Sequence, residues 1–291
     1  MGILKYIFFF FALFLIGCVD ITPLTSNTSS DKMFVLCEME AGKKIIANIY
    51  YVGDVTGKKI RQVNNQDLLS FSLAEGDKDW GYSFEYHRRD SFFYIEPDKF
   101  EIKEGLSYRF LGIGQNLKGV DPKIQIPISV TPDTFLINEH KVSYDGGMAQ
   151  TELSGELILP KGISKSSFFY IVPRSENDLT WFLSDFQNSN GQAFHRLEHR
   201  DGFLIDYAML NTNEIKMSLS IKENEATSKI AFDFYNVTES FYRYNVYASN
   251  VFSGGTTTTA NPPIAGFNVQ TDKAFGSFSA LTKTSKTYII K

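Results

Sequence analysis

The stretch Ile230-Ala231-Phe232-Asp233-Phe234 alternates between large apolar side chains and smaller or charged ones. A period of two is typical of a β-strand with one buried face, because successive side chains of a strand point to opposite faces. Ser70-Phe71-Ser72-Leu73 shows the same alternation far from it in the chain. The two stretches predict half-buried strands in both halves of the protein.

Comparable runs recur about every 8–12 residues and are rich in Val, Ile, Tyr, Phe and Thr. They are Ile45–Val52, Leu68–Leu73, Ser91–Ile95, Tyr108–Ile113, Glu152–Leu159, Ser167–Val172, Phe203–Tyr207 and Ile215–Ile221. One helix is expected near 237–252, where Thr238 can cap it and apolar residues recur on one face. Phe278–Leu281 and Thr287–Ile290 are expected to form a closing hairpin around Lys283–Lys286. The sequence therefore predicts an all-β fold with one short helix.

A domain boundary is expected in the segment Lys118–Asp133, which three prolines interrupt. Proline is disfavoured inside a sheet, so the segment is read as a linker. Residues 32–127 have about the length of an immunoglobulin-like or transthyretin-like sandwich. Residues 128–291 are expected to form a second β-sandwich-like domain that carries the helix.

The N-terminus indicates export. Tyr6–Ile16 is an apolar run of eleven residues, the length of a signal-peptide core and too short for a membrane-spanning helix. Leu15-Ile16-Gly17-Cys18 resembles the lipobox of bacterial lipoproteins, in which the signal is cut before a cysteine that then becomes acylated. We therefore expect residues 1–17 to be a signal peptide, Cys18 to carry fatty acyl chains such as palmitate, and 18–31 to be a flexible tether. Two or more acyl chains anchor a protein stably.

Composition excludes some functions. Removal of Lys5 with the signal leaves 28 basic and 33 acidic residues, so no basic surface for nucleic acid is expected. The chain has two cysteines, and lipidation of Cys18 leaves Cys37 without a disulfide partner. Cys37 ends the apolar run Met33–Cys37 and is expected to be buried.

Catalytic candidates are few. Asp77, Asp79, Glu85 and Asp90 flank Trp80, and paired carboxylates beside an aromatic ring occur in enzymes that cleave sugars. A charged turn next to aromatic strand residues explains the same pattern. The sequence contains neither Gly-x-Ser-x-Gly nor a complete phosphate-binding glycine loop. It therefore predicts a protein that is not an enzyme and needs no cofactor.

No metal site is predicted. His195 and His199 share a face on a strand but lie about 13 Å apart there, too far for one ion. Glycines on either side of this segment favour a strand over the helix that would bring the two histidines together. Asp185, Asn188 and Asn190 alternate like calcium ligands, but the glutamate that completes a calcium loop is missing.

The polar segment Ser184–Gln192 is the candidate recognition loop, with Asp185, Asn188 and Asn190 as its candidate residues. Loops presented by a rigid sandwich often carry recognition. The same residue types also close a tight connection, and Asn190-Gly191 is a strong hairpin signal. Both interpretations stay open.

Aromatic residues form two clusters, one at Trp80, Tyr82, Tyr86 and Tyr94 and the other between Tyr235 and Tyr247. The chain has 26 Phe, 15 Tyr and 2 Trp, and this dominance of Phe favours core packing. A protein interface is the alternative for each cluster.

Several short motifs together resemble one family. They are the lipobox, the linker Ile126-Pro127, the segment Ser184–Gln192, the helix start Glu239–Tyr244, and Asn261–Asn268 followed by Phe275–Phe278. In this combination the chain resembles the DUF4249 lipoproteins of Bacteroidota, although the usual Asn-Ile-x-x-Gly is altered to Asn268–Asp272. The resemblance implies an outer-membrane lipoprotein that accompanies a TonB-dependent receptor, and it implies no activity.

We therefore expect an outer-membrane lipoprotein that faces the cell exterior, where a partner of a nutrient receptor meets its ligand. It would act as a non-catalytic binding or accessory subunit, with lipid bound through Cys18 and a β-barrel as partner. The sequence does not indicate which small molecule it binds. A structural or assembly subunit of a surface complex is the alternative, and a surface hydrolase comes third. The periplasmic face is the alternative location.

Overall fold

The computed structural model describes residues 32–52, 60–63, 70–113, 117, 119–186, 193–197, 200–252, 268–272 and 274–290. Asp31–Lys291 forms one compact unit. The signal peptide, the acylated Cys18 and the tether predicted for 1–31 lie outside the described residues and stay predictions. None of the described helices is long and apolar enough to cross a membrane.

The described chain is mostly β-structure, which confirms the predicted all-β fold with one short helix. Its largest sheet holds β1 (Lys32–Glu40), β2 (Ile45–Val52), β3 (Ile60–Gln62), β6 (Glu85–His87), β7 (Phe92–Ile95), β12 (Phe168–Ser175), β14 (Phe194–Arg196), β15 (Phe203–Asp206), β17 (Lys229–Val237), β18 (Val269–Gln270) and β19 (Ala274–Ile289). A second sheet has the order β10 (Thr134–Asp145), β11 (Met148–Ile158), β16 (Glu214–Glu223) and β13 (Phe182–Phe186). A third has the order β5 (Tyr82–Ser83), β4 (Ser70–Glu75), β8 (Ser107–Ile113) and β9 (Lys123–Gln125).

Each small sheet packs against one part of the large sheet, so two hydrophobic cores form. The first core joins side chains of β1, β2 and β7 to those of β4 and β8, for example Val35 and Phe110. The second joins β12 and β17 to β11 and β16, for example Phe232 and Leu219. Cys37 is fully buried in the first core, as expected, and burial raises the pKa of its thiol, followed by a smaller effect of Glu38.

The last strand, β19, belongs to both halves of the large sheet. Its first part pairs in parallel with β1, and its second part pairs antiparallel with β17. The predicted second domain, 128–291, therefore contributes Ala274, Phe278 and Ala280 to the first core. Pairing of distant strands, which a linear division of the sequence cannot show, is the reason for this difference.

The predicted closing hairpin around Lys283–Lys286 is wrong, because β19 runs through this stretch without a turn. Each polar side chain there has a partner. Lys283 and Ser285 bind the carboxylate of Asp233 at 2.9 Å and 2.5 Å. Thr284 donates to the carbonyl of Val130 at 2.7 Å. A polar run that looks like a turn in the sequence is thus a central strand with satisfied side chains.

A glycine allows β19 to lie against β1. Gly276 pairs with Val35 and has a φ of +150°. A Cβ atom at this position would lie 1.8 Å from the carbonyl oxygen of Val35. Only a residue without a side chain fits this backbone approach.

Asp233 stands at the centre of the large sheet and is 7% exposed. Arg174 on β12 donates to it at 3.1 Å, and Lys283 on β19 lies 2.9 Å away. Burial alone would raise the pKa of this carboxyl, but the bonds from Lys283, Ser285 and Arg174 outweigh burial and lower the pKa. Asp233 therefore stays ionised and ties three neighbouring strands together.

The predicted helix is α1 (Glu239–Phe252). Thr238 caps it, since its hydroxyl accepts from the backbone N–H of Phe241 at 3.4 Å and from that of Ala280 at 3.1 Å. Phe241, fully buried, packs against Tyr170 and Leu281 on the face of the large sheet that points away from the second core. The helix thus covers the one face of these strands that the second sheet leaves open.

Substitution of Gly276 tests whether the fold needs the close contact between the backbones of β19 and β1. We expect Gly276→Ala to lower the free energy of unfolding by about 2–4 kcal/mol, because the new methyl group must displace β1. Gly162→Ala is the control, since Gly162 has a φ of +87° but nothing within 4 Å, and strain alone costs about 1–2 kcal/mol. Chemical denaturation measures both. Equal losses in the two variants would contradict the packing argument.

Substitution of Asp233 tests the central charge. We expect Asp233→Asn to lose about 1–3 kcal/mol at pH 7, discounted because Arg174 and Lys283 are partly exposed. A carboxyl whose pKa is lowered by folding stabilises the fold above its unfolded pKa, and this contribution disappears as pH falls through the folded pKa. The difference between wild type and variant should therefore shrink from about pH 5 downwards. A difference that stays constant down to acid pH would show that the charge is not the cause.

Candidate ligand-binding site

Two of the four carboxylates that flank Trp80 in the sequence, Asp77 and Glu85, are bound to lysines. Lys99 and Tyr94 hydrogen-bond to Glu85 and lower the pKa of its carboxyl. Lys123 lies 2.8 Å from Asp77 and lowers the pKa of that carboxyl in the same way. A lowered pKa is the opposite of the raised pKa that the general acid of a sugar-cleaving mechanism needs.

The sequence predicts a strand at His195, and the residue does lie on a strand, β14. Burial lowers the pKa of His195, and the nearby charge of Asp206 opposes this effect only in part. Its ring packs edge-on against Tyr242 at 5.7 Å. His199 lies outside the described residues. Within the described residues, no group of three His, Cys, Asp or Glu side chains could hold a metal ion.

The candidate recognition segment begins inside a strand. Asp185 is part of β13 and pairs with Ser218 of β16, after a register shift between Leu183 and Asp185. The expectation that Asp185 belongs to a loop is therefore corrected, because backbone pairing continues to Phe186. Asn188 and Asn190 lie outside the described residues, so the choice between recognition loop and tight turn stays open.

A cavity of about 420 Å³ opens beside the start of β13. Residues 180–183 form one wall, and residues 196, 197 and 200–203 form the other. The apolar lining is Trp181, Phe182, Leu183, Leu197 and Phe203. The remaining lining residues are Thr180, Arg196, Arg200, Asp201 and Gly202, so the walls are mixed apolar and polar. The size is within the range of sites that bind small organic ligands.

Arg196 is the exposed cation of this cavity. Its guanidinium lies 3.9 Å from the centroid of the Phe182 ring, which holds the side chain in place. In the described part of the chain, no carboxylate forms an ion pair with it. Its backbone is fixed as well, since its carbonyl accepts from the Ser249 hydroxyl of α1 at 3.0 Å. A positioned guanidinium without a partner is suited to bind a carboxylate or phosphate.

The other charged groups of the cavity are already engaged. Arg200 lies 3.5 Å from Glu38 and 5.3 Å from the ring centroid of Phe241. The Asp201 carboxylate accepts from the Thr180 hydroxyl at 2.9 Å. Arg196 is therefore the charged group of this cavity that is best placed to form an ion pair with a ligand.

Trp181 supplies a second unused donor. Its side chain is 2% exposed, and its Nε1–H has no hydrogen-bond partner among the described residues. A buried donor without an acceptor costs about 1–3 kcal/mol. An acceptor atom of a bound molecule would remove this cost if it reached the indole.

The sequence contained no signal that joins Trp181 to Arg196. Trp181 lies directly before β13 and Arg196 ends β14, a strand of a different sheet, and only the packing of those sheets places both residues at one cavity. The sequence draws attention to His195 and His199 of the same segment instead, because histidine is a common metal ligand.

No protein family matches this sequence, and a search of curated proteins finds no similar one. The likeness to DUF4249 lipoproteins thus stays a resemblance that rests on the short motifs.

Proposed function

We propose that this protein is a lipid-anchored, non-catalytic binding protein that captures a small carboxylate-bearing ligand. The observation that supports the ligand class is the Arg196 guanidinium, which has no ion-pair partner among the described residues and packs on Phe182 at a cavity with mixed apolar and polar walls. The unsatisfied Nε1–H of Trp181 adds a second donor in the same lining. A ligand with a carboxylate head and an apolar body satisfies both parts of the cavity.

We further propose that it serves an outer-membrane β-barrel, namely a TonB-dependent receptor, on the cell exterior. This part rests on the lipobox-like sequence before Cys18 and on the resemblance to DUF4249 lipoproteins. A capture subunit raises the local ligand concentration at its receptor when both are held in the same membrane. Co-purification with a β-barrel from mildly solubilised outer membranes tests it, and recovery of the protein alone counts against it.

A structural or assembly role is the second candidate, and the hairpin of β10 and β11 favours it. β10 is an edge strand of its sheet, and every residue from Asn138 to Gly147 is exposed. Tyr144, 73% exposed, stands near its tip. An exposed edge strand is a surface to which another chain can add a strand.

Ligand capture predicts a specific loss in Arg196→Ala. We expect short aromatic carboxylates to raise the melting temperature of the wild type, because a ligand that binds only the native state stabilises it. The matching amides should not do so. Arg196→Ala should weaken carboxylate binding by about tenfold or more, the effect of one charge-assisted hydrogen bond. Calorimetry and thermal shift of the detergent-purified chain measure both.

Arg89→Ala is the matched control, since Arg89 is also exposed and lies outside the cavity. Trp181→Phe removes only the indole N–H donor and should also lower affinity. No response to any carboxylate, or equal loss in the Arg89 and Arg196 variants, would contradict ligand capture and leave the assembly role as the better proposal.

The anchor predicts that tritiated palmitate labels the wild-type protein in cells and does not label Cys18→Ser. The variant should also keep its signal peptide and migrate as the larger form. Cys37→Ser is the control and should be labelled normally, since the Cys37 side chain is buried. Labelling that persists in Cys18→Ser would refute the proposed anchor.

A further inference from the structure

A second surface, away from the Arg196 cavity, carries exposed aromatic side chains. It belongs to the first sandwich, the two sheets that enclose the first core. Trp80 is 67% exposed and Tyr82 is 44% exposed. Both line a shallow depression of about 260 Å³ next to β4 and β5. Large exposed aromatic residues are uncommon on a surface that has no binding role, because their burial is favourable.

The two rings are held in position by their surroundings. Tyr82 packs against Phe100 with ring centroids 4.9 Å apart, and Phe100 packs against the first core. The ammonium of Lys78 lies over the Trp80 ring, 5.5 Å from its centroid. With one face under Lys78, the large exposed fraction of Trp80 leaves the opposite face open. The platform is therefore ordered before any ligand arrives.

The backbone between the rings is fixed as well. Gly81 lies so close to β4 that a Cβ atom there would be 2.3 Å from the carbonyl oxygen of Leu73. Tyr82 pairs with the same residue in the sheet. Tyr82 therefore lies on β5, and Trp80 is joined to this strand through Gly81.

Polar groups without partners lie beside the rings. Glu101 and Lys103 are exposed and line the depression. The side chains of both make no hydrogen bond or ion pair with any residue that the structure describes. An aromatic face combined with one free acceptor and one free donor suits a molecule that has an apolar C–H face and hydroxyl groups at its edge.

We propose that this depression binds a neutral carbohydrate, with one pyranose ring stacked on Trp80 and its hydroxyls bonded to Glu101 and Lys103. The C–H groups of a pyranose face carry partial positive charge and meet the negative face of the indole. The volume of the depression, about 260 Å³, suits a single sugar unit, as at the end or along the side of a glycan.

The charges around the rings favour a neutral carbohydrate over an anionic membrane surface as the binding partner. Glu75 and Glu101 line the depression together with Lys78, Lys99 and Lys103. Lys78 and Lys99 are paired with Glu75 and Glu85, so one free cation remains beside one free carboxylate. A surface that docks on anionic lipid needs an excess of unpaired cations. This one suits an uncharged ligand.

Affinity electrophoresis of the detergent-purified chain tests the proposal, with soluble glucan, galactan, mannan and xylan in separate gels. We expect at least one polysaccharide to retard the wild type. Trp80→Ala should weaken that retardation by about tenfold or more, as loss of a central aromatic contact does. Tyr82→Ala should weaken it less. The melting temperature of Trp80→Ala should stay unchanged, because this side chain is mostly exposed.

Tyr144→Ala is the matched control, since Tyr144 is 73% exposed on β10 of the other sandwich. Vesicles of phosphatidylglycerol and phosphatidylcholine provide the second arm, and no binding is expected. The proposal is overturned if none of the four polysaccharides retards the protein, if Trp80→Ala and Tyr144→Ala lose retardation equally, or if Trp80→Ala abolishes vesicle binding instead.

Fluorescence locates the sugar directly, because the chain has only two tryptophans. In Trp181→Phe the remaining indole is Trp80, whose exposed side chain should emit at long wavelength. Addition of the retarding polysaccharide should shift this emission to shorter wavelength as the ring is covered. An unchanged spectrum under conditions of retardation would place the sugar elsewhere. Arg196→Ala should leave both readouts unchanged, so failure of the sugar site and failure of the carboxylate site can be distinguished.

Discussion

The structure depends on the pairing of one strand, β19, with two partners that are far apart in the sequence. Its first part adds to β1 in parallel and its second part to β17 in antiparallel orientation. The first contact is possible because Gly276 has no side chain facing the Val35 carbonyl. The second is held by the ionised Asp233 between Lys283 and Arg174. Both hydrophobic cores therefore share one continuous sheet.

Local patterns in the sequence predict most of the elements, and distant contacts decide how they are joined. The alternation in Ile230–Phe234 falls within β17, and the run Ile45–Val52 coincides with β2. The helix signal at Thr238 is also correct, since α1 begins at Glu239. Lys283–Lys286 misleads because four polar residues in a row are typical of a turn. Only the fold supplies Asp233 and the Val130 carbonyl as their partners.

The candidate sites are harder to predict from the sequence than the strands and the helix. The cluster around Trp80 is visible in the sequence, but whether its rings are buried depends on what packs above them, and core packing was the favoured interpretation. The structure leaves Trp80 and Tyr82 exposed while Tyr86 packs on the first core. Arg196 and Trp181 are informative only as a pair. The pair exists because β14 and the residue that precedes β13 meet at one cavity, although the two strands belong to different sheets.

The position of β19 also has a consequence for biosynthesis. The hydroxyl of Ser279 reaches the carbonyl of Cys37 across 242 residues of sequence. A nascent chain emerges with β1 long before β19, so the first sandwich lacks a central strand until the ribosome has passed residue 274. Contacts between such distant residues form slowly, because a long loop must close first. The first sandwich of such a protein therefore stays incompletely folded until β19 has been synthesised.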